Sequence, residues 1–421
     1  MKLFLKYQLF GIPFPFNKTY RVSTETFNAD PLARSMNLER HYSGEFSMAS
    51  VQSNKDLEDQ NQVDVSHDAL FVGIYDGFKG NSAALYIRRN IFRALLRRIE
   101  LNDNHMTVNI LREVVAEIEN GFQDFARNIY EENHQRVEIG LVSSGCLICI
   151  IWKGILYLAN VGNSRAVLGS IKGDRYKRLR VMQMVRDHSC ENPDIQDELQ
   201  AMYPRDPHIC EFTQVHHISE YQVYPAHEYY SNKDPSWTVK GLIETSRCIG
   251  YAYMKRKLFT VGTSFIIPMG ERVVSLFTGP VLTSEPEVYS RVLKDTDRFI
   301  IFGSSGFWKL MSNKLAARIV IRSPRDDIAK RLAIIAIEKG AGKKGNKYRD
   351  IVGLPKGEEV SGNWGLEPGR SRPIYHDDIT VIVVFFDRRP TGVRPEIKCY
   401  TCSDFADQPS AFTHFYNNMN V

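Results

Sequence analysis

Ala69-Leu-Phe-Val-Gly-Ile-Tyr-Asp-Gly77 is a run of β-branched and aromatic residues stopped abruptly by Asp76-Gly77, and it reads as a strand that ends in a carboxylate and a turn. Outward from it, Phe46-Ser-Met-Ala-Ser-Val51 is the first strand-like run of the chain. On the other side comes a helix with Ala84, Ile87, Ile91 and Leu95 on one face and Arg88, Arg89, Arg97 and Arg98 available to solvent. A second helix from about residue 108 to 126 spaces Ile110, Val114, Ile118 and Phe122 at helical period. Gly145-Cys-Leu-Ile-Cys-Ile-Ile151 and Ile155-Leu-Tyr-Leu-Ala-Asn-Val161 flank Trp152-Lys153-Gly154 as a hairpin, and Ala166-Val-Leu168 follows the turn Gly162-Asn-Ser-Arg165. These runs read as an antiparallel meander.

Residues 170 to 290 show the least regularity and read as loops or short helices laid over the scaffold. Arg298-Phe-Ile-Ile-Phe-Gly303 is again a strand. Ser323-Pro-Arg-Asp326 predicts a helix start, with Ser as N-cap and Pro in the first turn, carrying Ile328, Leu332, Ile335 and Ala336 inward. Lys339 to Arg349 reads as a basic loop, and Ile379-Thr-Val-Ile-Val-Val-Phe-Phe386 as a final buried strand. The organisation expected is a loosely structured leader over residues 1–44, one domain over 45–388 and a C-terminal tail over 389–421.

The 421 residues are 43% apolar and 24% charged, enough to bury a substantial core, and the net charge of +5 is too small and dispersed to argue for a nucleic-acid partner. Seven scattered cysteines are unlike a secreted disulfide scaffold and read as reduced thiols in an intracellular protein, cytoplasmic or nuclear. Cys146 and Cys149, three apart on a strand, should face opposite ways, and Cys399 and Cys402 lack a second Cys/His pair for zinc. No run approaches the roughly 18 apolar residues of a membrane span. The aromatic leader with Lys2 and Lys6 leaves contact with a plasma-membrane surface open, and a monomer is expected. Gly340-Ala-Gly-Lys343 lacks the spacing of a phosphate-binding loop, and no nucleophile elbow or His-Glu-x-x-His pair is present.

Four acidic features stand at the ends of strand-like runs: Glu58-Asp59, Asp76-Gly77, Asp187 and Asp377-Asp378. Carboxylates gathered on one rim repel each other unless a hard divalent cation neutralises them, and Mg²⁺ or Mn²⁺ suits all-oxygen ligation. Around them run the words Phe46-Ser-Met-Ala49, Leu57-Glu-Asp-Gln60, Phe71 to Gly77 and Leu156-Tyr-Leu-Ala-Asn-Val-Gly-Asn-Ser-Arg-Ala-Val167. Further on come Val239-Lys-Gly-Leu-Ile243, Ser246-Arg-Cys-Ile-Gly250, Met311-Ser-Asn313 and His376 to Phe385. In this order, the words resemble the PP2C family of metal-dependent serine/threonine protein phosphatases, nearest the plant branch often called clade D.

The resemblance implies an α+β fold: two packed, mostly antiparallel sheets flanked by helices in a four-layer α-β-β-α sandwich, with two Mg²⁺ or Mn²⁺ ions at one end. In active members a metal-bridging water attacks the phosphorus of a phosphoserine or phosphothreonine protein. Carried over, Asp76 would bridge the metals, the Gly77 carbonyl and Glu58 would hold one of them with Asp59 behind, and Asp377 would hold the other.

Other positions depart from the pattern. Phe78 stands where the family has a histidine proposed as general acid, Ser305 where it has a metal-binding aspartate, and Asn163 where a third metal's carboxylate belongs. The word ending in Asp elsewhere ends here at Tyr251, and Asn54 replaces a phosphate-gripping arginine. Loss of a general acid alone costs about 10²- to 10⁴-fold. The leading expectation is a pseudophosphatase that binds phosphoproteins or regulators and holds one metal or none. A slow Mg²⁺/Mn²⁺-dependent phosphatase and a purely structural interaction module are the alternatives. Lys55 and Lys79, near the surviving carboxylates in sequence, are candidate substitute cations set against an ordinary solvent-facing role, and His216, His217 and His227 are outlying ligand candidates set against an ordinary surface role.

Overall fold

The computed structural model describes residues 24–134, 136–172, 178–213, 235–262, 280–357, 371–387, 394–403 and 409–419. Two six-stranded sheets dominate. The first runs, edge to edge, Ala33–His41, Gly44–Val51, Ile379–Phe386, Asp297–Gly303, Arg165–Lys172 and Arg178–Gln183. The second runs Glu287–Val292, Ile155–Val161, Cys146–Trp152, Ala69–Tyr75, Gln60–Val65 and Lys398–Tyr400. Neighbours within both sheets pair antiparallel.

Side-chain alternation explains why the central strands read as unbroken apolar runs. Leu70, Val72 and Ile74 face Ile382, Val384 and Phe302 between the sheets, while Ala69, Phe71 and Tyr75 face outward onto helices. Val381, Val383 and Phe385 likewise turn to a helix-covered outer face. Cys146 belongs to the outer layer and Cys149 to the layer between the sheets, the opposite placement expected from their spacing.

Helices Ser82–Leu101 and Val108–Glu132 cover the second sheet, and Asn313–Arg322 with Ile328–Lys343 cover the first, which completes the four-layer sandwich. The hairpin at Lys153-Gly154 has φ of 50° and 77°, the positive values that a two-residue turn matched to strand twist requires.

Several local expectations change. Residues 24 to 44, read from sequence as loosely structured, contain the helix Thr24–Asn28 and the edge strand Ala33–His41, paired with Gly44–Val51. Burial of Phe27 under the outer helices is a long-range contact that no local pattern announces. Residues 398–400 pair with Gln60–Val65, and Phe412 and Phe415 pack against the helix-covered face, so the tail also joins the domain. Ser323 closes the helix Asn313–Arg322 instead of opening the next one, which starts at Ile328 after Asp327 in a left-handed conformation. Lys339 to Lys343 continue that helix, with Gly340 so close to the Tyr375 carbonyl that an added Cβ would lie 2.4 Å from it, and Tyr348–Ile351 form a further turn of helix. Between 170 and 290 lie the strand Arg178–Gln183, the helix Pro193–Met202 and the small ribbon Cys210–Thr213 with Ser236–Val239.

Candidate functional site

Strand register brings the predicted residues to one end of the sandwich. Gln60 pairs with Tyr75, Ile379 with Val51, and Gly303 with both Val381 and Arg165. Glu58-Asp59, Asp76-Gly77, Asn163, Ser305 and Asp377-Asp378 therefore all flank strands that end on the same rim. A two-residue ribbon, Gly77–Phe78 paired with Ser143–Ser144 and that with Ile249–Gly250, extends the rim and brings Phe78 to Tyr251, ring centroids 6.1 Å apart.

Glu58, Asp76 and Asp377 each accept hydrogen bonds from donors of the chain itself. The Asn54 side-chain amide donates to Glu58 Oε2 at 3.1 Å and to Asp377 Oδ1 at 2.9 Å, clamping two of the expected metal ligands together. The Gly80 N–H donates to Glu58 Oε1 at 2.6 Å. Asp76 Oδ2 accepts the Ser305 N–H at 2.6 Å and, more weakly, the Ser164 hydroxyl at 3.4 Å. Lys309 Nζ, 2.7 Å from Glu244, comes within 4.0 Å of Asp377.

Asp378 organises the loop beneath. It accepts backbone N–H groups from Ser53 at 2.6 Å, Asn54 at 3.0 Å and Glu58 at 2.7 Å, so it fixes the very segment that presents Glu58. Burial, and after it the Asp377 charge, raises its pKa to about 7 even against those three donors. Burial and the Asp76 and Asp378 charges push Asp59 well above the usual carboxylate range, and its buried Oδ2 has no hydrogen-bond partner. Asp76 is raised as well, by burial ahead of the Asp377 charge, despite the Ser305 N–H.

Among the described residues no three His, Cys, Asp or Glu side chains converge to hold a metal ion. A dinuclear Mg²⁺ or Mn²⁺ centre needs carboxylate lone pairs turned into a shared space. Here both oxygens of Glu58, Oδ2 of Asp76 and Oδ1 of Asp377 accept N–H groups, and Ser305 supplies no carboxylate.

Asp187 is turned instead to Arg165 at 2.9 Å and to the Gln183 amide at 2.8 Å, a structural ion pair. Lys79 lies with its ammonium 5.8 Å from the centroid of the Phe78 ring. His216, His217 and His227 lie outside the described residues. Sequence reasoning missed the bridging role of Asn54, the organising role of Asp378 and the approach of Lys309, because each depends on a partner far away in the chain.

It also missed His188. The Gly162 N–H donates to His188 Nδ1 at 3.2 Å and the His188 N–H returns to the Gly162 carbonyl at 2.8 Å, which pins the turn that carries Asn163. Burial, then the Arg247 and Arg186 guanidiniums, lowers the His188 pKa to about 3. The ring is thus neutral in the fold. An unfolded chain takes up a proton below the ordinary pKa of about 6.5, so the stability tied to neutral His188 is whole above that pH and drains as pH falls toward 3. His41 and His376, both lowered to about 4 mainly by burial, act in the same direction. Urea unfolding between pH 7 and 4 should show a loss of at most about 1.4 kcal/mol per pH unit for each histidine. His188→Asn, which keeps an acceptor for Gly162, should make the slope shallower, and an unchanged slope would contradict this account.

Comparison with known proteins agrees with the fold. The profile of the family described as "Protein phosphatase 2C" matches residues 39–195 and 226–345. The chain is 37% identical over 359 residues to "Probable protein phosphatase 2C 43" of Oryza sativa subsp. japonica, covering 85% of this chain and 81% of that one. It is 36% identical over 362 residues to "Probable protein phosphatase 2C 68" of Arabidopsis thaliana, covering 86% and 82%. The crystal structure of serine-threonine phosphatase 2C from Toxoplasma gondii superimposes with a TM-score of 0.52 at 14% identity, covering 85% of this chain and 100% of that one, a likeness of fold. No described helix is long and apolar enough to cross a membrane.

Proposed function

The chain belongs to the protein phosphatase 2C family, and we propose that within it, in the plant branch called clade D, it acts as a pseudophosphatase that binds phosphoserine or phosphothreonine proteins or their regulators and turns them over poorly. Members of the family use Mg²⁺ or Mn²⁺. The observation that carries the reading is the state of the carboxylates: Asn54 holds Glu58 and Asp377 together, Ser305 brings a hydroxyl where the family pattern has a carboxylate, and Phe78 packs on Tyr251 with no proton to donate.

Phosphoryl transfer in such a site would require a metal-activated nucleophile and a proton for the leaving oxygen. Phenylalanine cannot supply the second, and three carboxylates committed to amide donors bind cations weakly. The slow-enzyme alternative draws its support from Glu58, Asp76 and Asp377, which keep their identity and their place on the rim.

Titration calorimetry with Mn²⁺ should find at most one tight site, at Glu58, Asp76 and the Gly77 carbonyl. Assay of a phosphothreonine peptide should give turnover far below about 1 per second. Two equivalent tight sites, or enzyme-like turnover abolished by Asp76→Asn, would establish the slow or ordinary enzyme instead. A chelator should barely move the melting temperature, because the core strands are buried against each other and not against the site.

A further inference from the structure

The helix Ser82–Leu101 turns Ile87, Ile91 and Leu95 into the core and carries five arginines against a single acid, Glu100. Arg97 and Arg98, in its C-terminal half, pair with Glu113 and Glu117 of the helix Val108–Glu132. Nearer its start, Arg88, Arg89 and Arg93 line a small surface recess together with Gln62, Phe92 and Pro409. Arg89 and Arg93 are exposed and four residues apart, so both guanidiniums stand on one side of the helix, a spacing at which like charges repel. Asp64, the one carboxylate among the lining residues, is buried and accepts the Gln62 amide at 2.7 Å. Arg88 is half-buried and reaches Gln60 Oε1 at 3.5 Å, and Gln60 follows directly on Asp59 of the rim. At about 3.4 Å per strand residue, Gln62 and Asp64 place the recess about 7–14 Å along the strand from Gln60.

Resting on the reading of the chain as a phosphoprotein binder, we infer that this recess docks a phosphoserine or phosphothreonine segment of the partner protein, its phosphoryl group held between Arg89 and Arg93 with Arg88 beside them. Binding is thereby separated from the carboxylate rim. On that reading the rim holds at most one metal, so Glu58, Asp76 and Asp377 outnumber the cation and repel a phosphate dianion. A guanidinium offers two parallel N–H donors to a phosphate, and an anion placed between two of them turns their mutual repulsion into attraction.

A lipid surface fits this face less well. A helix that lies on a membrane sinks its apolar side into the acyl boundary, whereas Ile87, Ile91 and Leu95 here are buried in the core, and the residue exposed beside Arg89 and Arg93 is the polar Asn90.

The probe is a fluorescein-labelled mixture of phosphothreonine peptides with randomised flanks, with the unphosphorylated mixture as reference, titrated with the full chain at about 0.15 M salt and followed by anisotropy. The expected result is binding that requires the phosphoryl group and weakens by about tenfold or more in Arg89→Gln with Arg93→Gln. Arg112→Gln with Arg127→Gln, which removes the same charge from the neighbouring helix, should change it little. On the wild type, bound phosphopeptide should also protect Arg89 and Arg93 from phenylglyoxal, read by mass spectrometry, so the test does not depend on a variant folding. Phosphopeptide binding that is unchanged in the Arg89→Gln, Arg93→Gln variant, with both arginines still modified in the wild type, overturns the recess and leaves phosphoprotein binding in place. Equal binding of the two mixtures, or of neither, overturns both. Release of phosphate at enzyme-like rates removes the pseudophosphatase reading alone, and the loss of binding in the arginine variant then still identifies the dock. Binding to phosphatidylcholine vesicles containing phosphatidylserine, lost in that variant and unaccompanied by phosphopeptide binding, assigns the face to anionic lipid and overturns the inference.

Discussion

Ser305→Asp combined with Phe78→His and Asn163→Asp should raise Mn²⁺-dependent phosphate release from a phosphothreonine peptide by at least about 10²-fold over the wild type. Ser305→Asp alone should yield little turnover, because the metal carboxylate and the proton donor act in one transition state and their effects are not additive. The structure adds a second signature. Ser305 sits beside Asp76, whose carboxyl is already raised by burial and by the Asp377 charge. A further carboxylate there repels its neighbours until a cation arrives. The single variant should therefore melt lower than the wild type without metal and recover with Mn²⁺, while the wild type responds little. Asp76→Asn placed in the triple variant is the control against contaminating activity. Turnover that survives it, or a triple variant no faster than the wild type, would remove the stated replacements as the cause of impairment.

Arg372→Met should destabilise the fold by about 3–5 kcal/mol, the cost of leaving one charge of a buried pair uncompensated. Arg372 and Asp30 side chains are both fully inaccessible. Arg372 Nη1 donates to Asp30 Oδ1 at 2.8 Å, Nη2 donates to Oδ2, and the Tyr348 hydroxyl donates to Oδ2 at 2.7 Å. Replacing both charges, Asp30→Leu with Arg372→Met, should return much of the loss, since neither charge is then stranded. Urea titration of the single and double variants reads the coupling directly, and additive effects would show the pair to be energetically independent. Arg372 also accepts the Tyr375 and His376 N–H groups on its carbonyl, and the His376 carbonyl accepts the Ser53 hydroxyl at 2.5 Å. The pair thus anchors the turn that leads to Asp377 and Asp378. Removing residues 24 to 44 should have a similar effect, because Asp30 lies among them.

What the chain states locally was readable. The alternation of Ala69 to Tyr75 and of Ile379 to Phe386, each ending at or starting from an aspartate, requires strands buried on both faces with carboxylates at their tips. The ordered words identified the family fold, and they are also the ground on which Phe78, Asn163 and Ser305 are proposed to depart from its pattern, because residue identity alone decides whether a side chain can donate a proton or bind a cation.

Only the tertiary structure decided which donors meet those carboxylates. Asn54 lies far in sequence from Asp377, Ser305 from Asp76 and Asp30 from Arg372, and each pair is made by strand register and helix packing that no local period encodes. The same holds for the segment before Gly44, whose strand has only a half-buried pattern and is settled by its neighbour in the sheet. Ser323 shows the limit of reading caps: Ser followed by Pro suits a helix start, yet the preceding helix runs up to it, because burial of Ala316, Ala317 and Val320 fixes where that helix lies. Patterns of period and residue type are written in neighbours along the chain, whereas electrostatic partners are chosen in space, and the candidate site is built from the second kind of contact.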